Sequence, residues 1–164
     1  MLIVEDGSIV EDANCYISLN DADAYLIPRG VWGESTTTEI EDRKEQAIIR
    51  ATDYMNTLYW KGVKVSLEQE LSFPRVGYDG IPKAIIKANA EIAGLFFNGT
   101  DLLAPAQQGV MIKSEKVDVI EESVHYFENA PSVPLYGVFV GILRPYLVTI
   151  FGEKGGFEII KVDY

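Results

Sequence analysis

With 164 residues, 48% of them hydrophobic and 24% charged, the chain has the composition of one ordinary globular domain, which excludes global disorder. Twenty-five acids against fourteen bases leave a formal charge of −11, the reverse of the basic footprint that a free nucleic-acid binder carries. The single cysteine, Cys15, excludes an internal disulfide and fits a reducing cytoplasm, and no apolar run reaches the ~18 residues needed to span a bilayer.

Taken in chain order, Leu2-Ile3-Val4 reads as a short strand followed by an irregular segment. The start lacks the cationic and long apolar stretches of a signal peptide. Ser18 is placed to cap a first helix, with Asp21 three residues on. That helix runs through Ala22, Ala24, Tyr25 and Leu26 and stops before Pro28. A second helix is expected from about Thr38 to Trp60. Ile40, Ala47, Ile48, Ala51, Met55, Leu58 and Tyr59 form its apolar stripe, with Arg43, Gln46, Arg50, Asp53 and Thr57 opposite.

Leu71-Ser72-Phe73-Pro74-Arg75-Val76-Gly77 then reads as a rigid connector. Phe73 is a large apolar anchor, Pro74 fixes its own φ, and Gly77 permits a turn that a Cβ would resist. Trp60, Phe73, Pro74, Arg75 and Gly77 are the expected connector core. A third helix opens at Pro82, buries Ile85, Ala88, Ile92, Leu95 and Phe96, and stops at Asn98-Gly99, with Lys83, Lys87 and Glu91 on its wet face.

From about 110 to 127 the pattern turns to β-branched residues with alternating charge, which predicts a β-hairpin turning somewhere between Asp118 and Ser123. Leu135 to Leu143 mixes strand and helix signals, and its proline start and Ile142-Leu143 end favour a fourth helix stopping near Pro145. Gly152-Glu153-Lys154-Gly155-Gly156 reads as a hinge before a strand-like ending. The expected fold class is therefore α+β, mainly α. It is a small bundle of about four helices with an inserted hairpin, a core over 1–148, and a docking tail over 149–164.

The search for chemistry finds no catalytic constellation. His125, the one histidine, lies in a predicted strand with no partner in view, and Cys15 is far from it in sequence. No Cys/His cluster has zinc spacing, and no acidic group has the glycine and ligand spacing of a calcium loop. The glycine-rich stretch lacks the Walker pattern. Neither a cofactor nor a metal is expected, and the chain is read as no enzyme. Tyr59-Trp60-Lys61 and Phe73-Pro74-Arg75 mix aromatic and basic residues, as proteins that hold single strands do, although aromatics where a helix meets a connector also fill cores. The ending Phe157, Ile159, Ile160, Val162 and Tyr164 is apolar on both faces. It reads either as an ordinary edge strand or as a strand added to a partner's sheet.

Four patches, in this order and spacing, carry a resemblance. They are Val4-Glu5-Asp6-Gly7 with Ala13-Asn14-Cys15-Tyr16-Ile17-Ser18; Ala47 to Tyr54; Trp60 to Gly77; and Ile112-Lys113-Ser114-Glu115-Lys116-Val117. The chain resembles a family of tailed-bacteriophage proteins labelled DnaT-like single-stranded-DNA-binding, with Cys15 standing where that pattern has serine. Proteins similar to this one are encoded among phage head genes and look like relatives of helical head-to-tail adaptors. The resemblance implies a structural protein of the virion neck, made in the host cytoplasm. It implies a ring of about twelve copies under the portal protein, extending the DNA channel and giving tail or nozzle proteins a platform, with passing DNA unread and no membrane involved. Such a ring carries roughly −130 before counterions, which would repel the duplex and ease its sliding. The alternative is a single-stranded-DNA-binding replication accessory protein, which needs Tyr59, Trp60, Lys61, Lys64, Arg75, Lys83 and Lys87 to converge on one exposed face. In the adaptor reading, the tail residues Phe157 to Tyr164 dock on the portal or on a neighbour.

Overall fold

In the computed structural model, which describes residues 1–103 and 141–148 together with the backbone of 112–117 and 120–125, the chain is mainly helical. It divides into two units, residues 1–104 with 137–149 and residues 105–136 with 150–164.

The first unit is built on three helices. Helix α1 (Leu19–Leu26) starts because the Ser18 hydroxyl accepts the Asp21 backbone N–H at 3.1 Å, while also donating to the Asp21 carboxylate at 2.6 Å. It runs on into a single 3₁₀ turn, Ile27–Arg29, closed by Gly30 in the left-handed conformation. Helix α2 (Thr38–Asn56) is capped by the Thr37 hydroxyl, which accepts from Ile40 N–H. It ends short of the expected Trp60. The Thr57 hydroxyl donates back to the Tyr54 carbonyl at 2.7 Å, and the chain then turns so that the Trp60 indole N–H reaches the Met55 carbonyl at 2.9 Å. Tyr59, expected on the buried stripe, is consequently 69% exposed, because it lies beyond the helix and outside its periodicity. Helix α3 (Lys83–Phe97) has Pro82 as its cap rather than its first residue, and it ends at Asn98-Gly99 as the sequence predicts.

Helices α2 and α3 pack antiparallel. Asn89, near the middle of α3, donates to Thr52 Oγ1 at 3.0 Å and to the Ile48 carbonyl at 3.4 Å. Phe97, at the end of α3, lies under the guanidinium of Arg43, near the start of α2. The core between them is Ile48, Ala51, Met55, Ile85, Ala88 and Ile92, with Leu26 of α1 added from the side. The approach is close. A Cβ on Gly94 would stand 2.4 Å from Val31 Cγ1, so this helix position has no room for alanine.

The expected strand Leu2-Ile3-Val4 is reduced to one parallel bridge, Val4 to Cys15. The chain folds instead into a hook around Glu5, whose buried carboxylate accepts the backbone N–H groups of Gly7, Ile9 and Val10 at 2.7–3.1 Å. Gly7 has φ +106, and a Cβ there would come within 2.8 Å of Gly80 Cα, so glycine is required twice over. Residues 141–143 are helical and lead into a 3₁₀ turn, Arg144–Tyr146. Leu143 and Leu147 are buried there.

In the second unit, β1 (Ile112–Val117) pairs antiparallel with β2 (Ile120–His125), in a register running from Ile112 opposite His125 to Val117 opposite Ile120. The predicted tail, with Phe157, Ile159, Ile160, Val162 and Tyr164, lies outside the described residues.

Candidate functional site

The connector between α2 and α3 is organised by one ring and one cation. Phe73, 1% exposed, is met edge-on by Trp60 at 5.1 Å, Tyr16 at 6.4 Å and Tyr146 at 6.5 Å, and Tyr78 tilts against it at 6.0 Å. The Phe73–Pro74 peptide bond is cis. Beside this cluster the Arg75 guanidinium donates to the backbone carbonyls of Lys61 at 2.9 Å, Ser72 at 3.1 Å and Trp60 at 3.3 Å, and to that of Gly62. Burial draws its pKa below the ordinary arginine value. The Gln69 amide donates to the carbonyls of Leu71 and Pro74, closing the loop from inside. Trp60, Phe73, Pro74 and Arg75 are thus buried together, and Gly77 lies at an exposed turn with φ +92.

Two short backbone pairings display the other side of this loop. Lys64 pairs antiparallel with Arg75, with Val76 N–H donating to the Val63 carbonyl at 2.9 Å. Trp60 pairs with Leu147, with Val148 N–H donating to the Tyr59 carbonyl at 2.9 Å. Strand alternation sends Trp60 and Leu147 inward and their neighbours Tyr59 and Val148 outward. The loop therefore exposes Tyr59, Val63, Val65, Leu67 and Val76, with Val148 of the paired segment beside them, and these form the apolar ledge, with Val63 at 68% and Leu67 at 97% exposure.

Cations border the ledge. The Lys61 ammonium donates to the Pro145 carbonyl at 3.0 Å, and that of Lys64 to the Gln69 carbonyl at 3.2 Å. Lys83 and Lys87 are exposed on the first turns of α3, which the antiparallel packing places at the same end as the C-terminus of α2. Of the residues predicted for single-strand binding, Tyr59, Lys61, Lys64, Lys83 and Lys87 gather at this end. Trp60 and Arg75 do not reach the surface, because one fills the core and the other is spent on carbonyls.

Nothing resembling a catalytic pair occurs among the described side chains. Cys15 is fully buried, and burial pushes its thiol up to about 11. No group of three or more His, Cys, Asp and Glu among the described residues could hold a metal ion, and no helix there is long and apolar enough to cross a membrane. The sequence reading missed Lys44. It is fully buried on α2, donating to Asp23 at 2.7 Å and Ser35 at 2.9 Å, with its ammonium 5.1 Å from the centre of the Trp32 ring. Its spacing from Ala47, Ile48 and Ala51 puts it on the apolar stripe, a signal legible beforehand.

The family model described as "Putative DnaT-like ssDNA binding protein" matches residues 1–162. The chain belongs to this family. No curated protein and no solved structure matches it. The four sequence patches that carried the resemblance fall within the matched span, and the third of them, Trp60 to Gly77, is the connector that bears the ledge.

Proposed function

We propose that this chain is a structural assembly protein, and more narrowly the head-to-tail adaptor that its sequence resembles. In this reading it forms a ring, of about twelve copies, between a phage portal and tail proteins in the virion neck, with DNA passing through unread. The observation that carries the reading is the ledge. Five exposed apolar side chains project from a loop locked on its inner side by Phe73 and Arg75, with Val148 paired beside Tyr59, and exposed apolar side chains set on a rigid loop are the chemistry of a protein interface. Apart from Tyr59, the ledge is valine and leucine, which offer no stacking surface to a base. The acidic balance adds support, since a ring of such charge favours sliding over capture.

The test mixes the purified protein with the portal of the phage that encodes it, followed by light scattering and negative-stain electron microscopy. A ring on the portal vertex is expected. A monomer indifferent to the portal at high concentration would overturn the reading. Deleting residues 157–164 is expected to weaken docking while leaving the melting curve of the chain unchanged, and normal docking by that deletion would remove the tail from the mechanism.

The family's description favours a second reading, single-stranded-DNA binding, and names no adaptor. The gathering of Tyr59, Lys61, Lys64, Lys83 and Lys87 at one end supports it. Titration of a labelled oligothymidylate at low and moderate salt separates the two. Tight, salt-sensitive binding by the monomer favours the second reading, and weak binding throughout favours the first.

A further inference from the structure

We infer that Asn98-Gly99 is a deamidation site that the fold holds shut, and that the reaction, once it occurs, prevents this corner of the fold from closing again. The device works within one copy, whatever that copy assembles with.

The sequence supplies the chemistry. Asparagine before glycine is the pairing in which a main-chain nitrogen most readily reaches the preceding side-chain carbonyl, because no Cβ crowds the approach. This is the chain's one Asn-Gly pair. The Gly99 nitrogen bonds to Asn98 Cγ, the Cγ–Nδ2 bond breaks, and the amide leaves as ammonia with the Gly99 proton. Water then opens the cyclic imide at either carbonyl, giving aspartate or isoaspartate. Both residues are exposed, and nothing lies within 4 Å of where a Gly99 Cβ would stand, so water and room are at hand.

The fold keeps the reacting atoms apart in three ways. Asn98 has a ψ of 10°, which turns the Gly99 nitrogen away from Cγ. The Gly99 N–H is donated to the Phe96 carbonyl at 3.0 Å. The leaving amide donates to the Gly94 carbonyl at 2.9 Å and to the Val31 carbonyl at 3.0 Å. The corner must therefore open before the bond can form.

The group that leaves is also the tie that closes the corner. Through Nδ2 the end of α3 is joined to the chain that follows α1, at the same Val31 whose side chain fills the space over Gly94. Aspartate has no N–H to offer there. Its carboxylate would face two carbonyl oxygens at a helix C-terminus, where negative charge is disfavoured. Isoaspartate lengthens the main chain by one carbon and draws the Gly99 and Thr100 N–H groups off the Phe96 and Leu95 carbonyls. Trp32, next to Val31, packs edge-on against Phe97 at 5.4 Å and lies by the ammonium of Lys44, so an open corner loosens the cover of that buried cation.

The test ages the full chain in mildly alkaline buffer, folded and in urea, and maps its peptides by mass spectrometry. In urea, position 98 should convert ahead of the other asparagines. In the folded chain its conversion should be slower by roughly tenfold or more. Equal rates in the two conditions, or conversion elsewhere before position 98, overturn the inference. Asn98→Asp stands for the product, and should accelerate hydrogen exchange at the Gly99 and Thr100 amides relative to the middle of α3. If that variant fails to fold, the aged chain, separated by its added negative charge, is measured in its place. Amides as slow as those of the wild type would mean that the corner closes again, and would overturn the inference as well.

Discussion

The phenolic oxygen of Tyr16 accepts the backbone N–H of Phe73 at 3.0 Å, while the two rings meet edge to face. One side chain from the N-terminal hook thus satisfies a buried donor in the connector, 57 residues away, and packs on the same residue's ring. Tyr16→Phe keeps the packing and strands the N–H, which should cost roughly 1–3 kcal/mol. Phe73→Ala removes the ring that Trp60, Tyr16, Tyr78 and Tyr146 enclose, and should cost ~3–5 kcal/mol. Urea unfolding measures both. A Phe73→Ala protein as stable as the parent would end the argument that this ring organises the connector.

Alkali should unfold the protein from below the usual tyrosine range. Burial pushes the Cys15 thiol from an ordinary value of 9.0 up to about 11, and pushes the Tyr16 phenol upward from 10.0. In both cases the unfolded chain releases its proton first. The stability is whole below pH 9 and is lost as the pH rises toward the folded-state values. Cys15→Ser should move the onset of the loss up by about one pH unit, toward the tyrosine value. Unfolding midpoints collected between pH 7 and 11 would show this, and an unchanged onset would place the loss elsewhere.

Arg75 should not tolerate lysine. Its planar group spans four backbone carbonyls on both sides of the loop, a geometry that a single ammonium on a flexible stem cannot reproduce. Arg75→Lys should cost roughly 2–4 kcal/mol through carbonyls left without donors. Hydrogen exchange at the amides of Val65 and Val76, which pair across the loop beside it, should accelerate more than exchange in the middle of α3. Uniform acceleration throughout would mean that Arg75 supports the whole fold and not the loop.

What could be read beforehand was local. Ser18 with Asp21, Pro82, and Asn98-Gly99 each act through neighbours within a few residues, so the ends they mark fall close to where the sequence puts them. The end of α2 was misplaced because Trp60 is apolar at a tolerable helical spacing, and its partner Leu147 lies too far along the chain for periodicity to show. The same limit applies to the site. Tyr59-Trp60-Lys61 and Phe73-Pro74-Arg75 announce aromatic and cationic chemistry, but only the fold decides that Trp60 and Arg75 face inward while Tyr59 faces out. The ledge escaped notice because Val63, Val65 and Leu67 look like strand or core residues until the chain that should cover them is sought. Nothing in the pair Glu5-Asp6 tells the two acids apart in the sequence, and only the fold shows three backbone N–H groups closing around Glu5.

The buried ammonium of Lys44 offers an asymmetric test. It has Asp23 as counter-ion at 2.7 Å, Ser35 as a second acceptor and the Trp32 ring nearby. Asp23→Ala leaves a buried cation without its carboxylate and should cost roughly 3–5 kcal/mol. Lys44→Met removes the charge with little change of volume, leaves Asp23 in partial contact with water, and should cost no more than about 1 kcal/mol. In the double variant, Lys44→Met should recover most of what Asp23→Ala loses, since the penalty belongs to the stranded charge. A double-mutant cycle by urea unfolding gives the coupling directly. If the two losses simply add, the pair is not coupled, and Ser35 and the Trp32 ring hold Lys44 without help from the carboxylate.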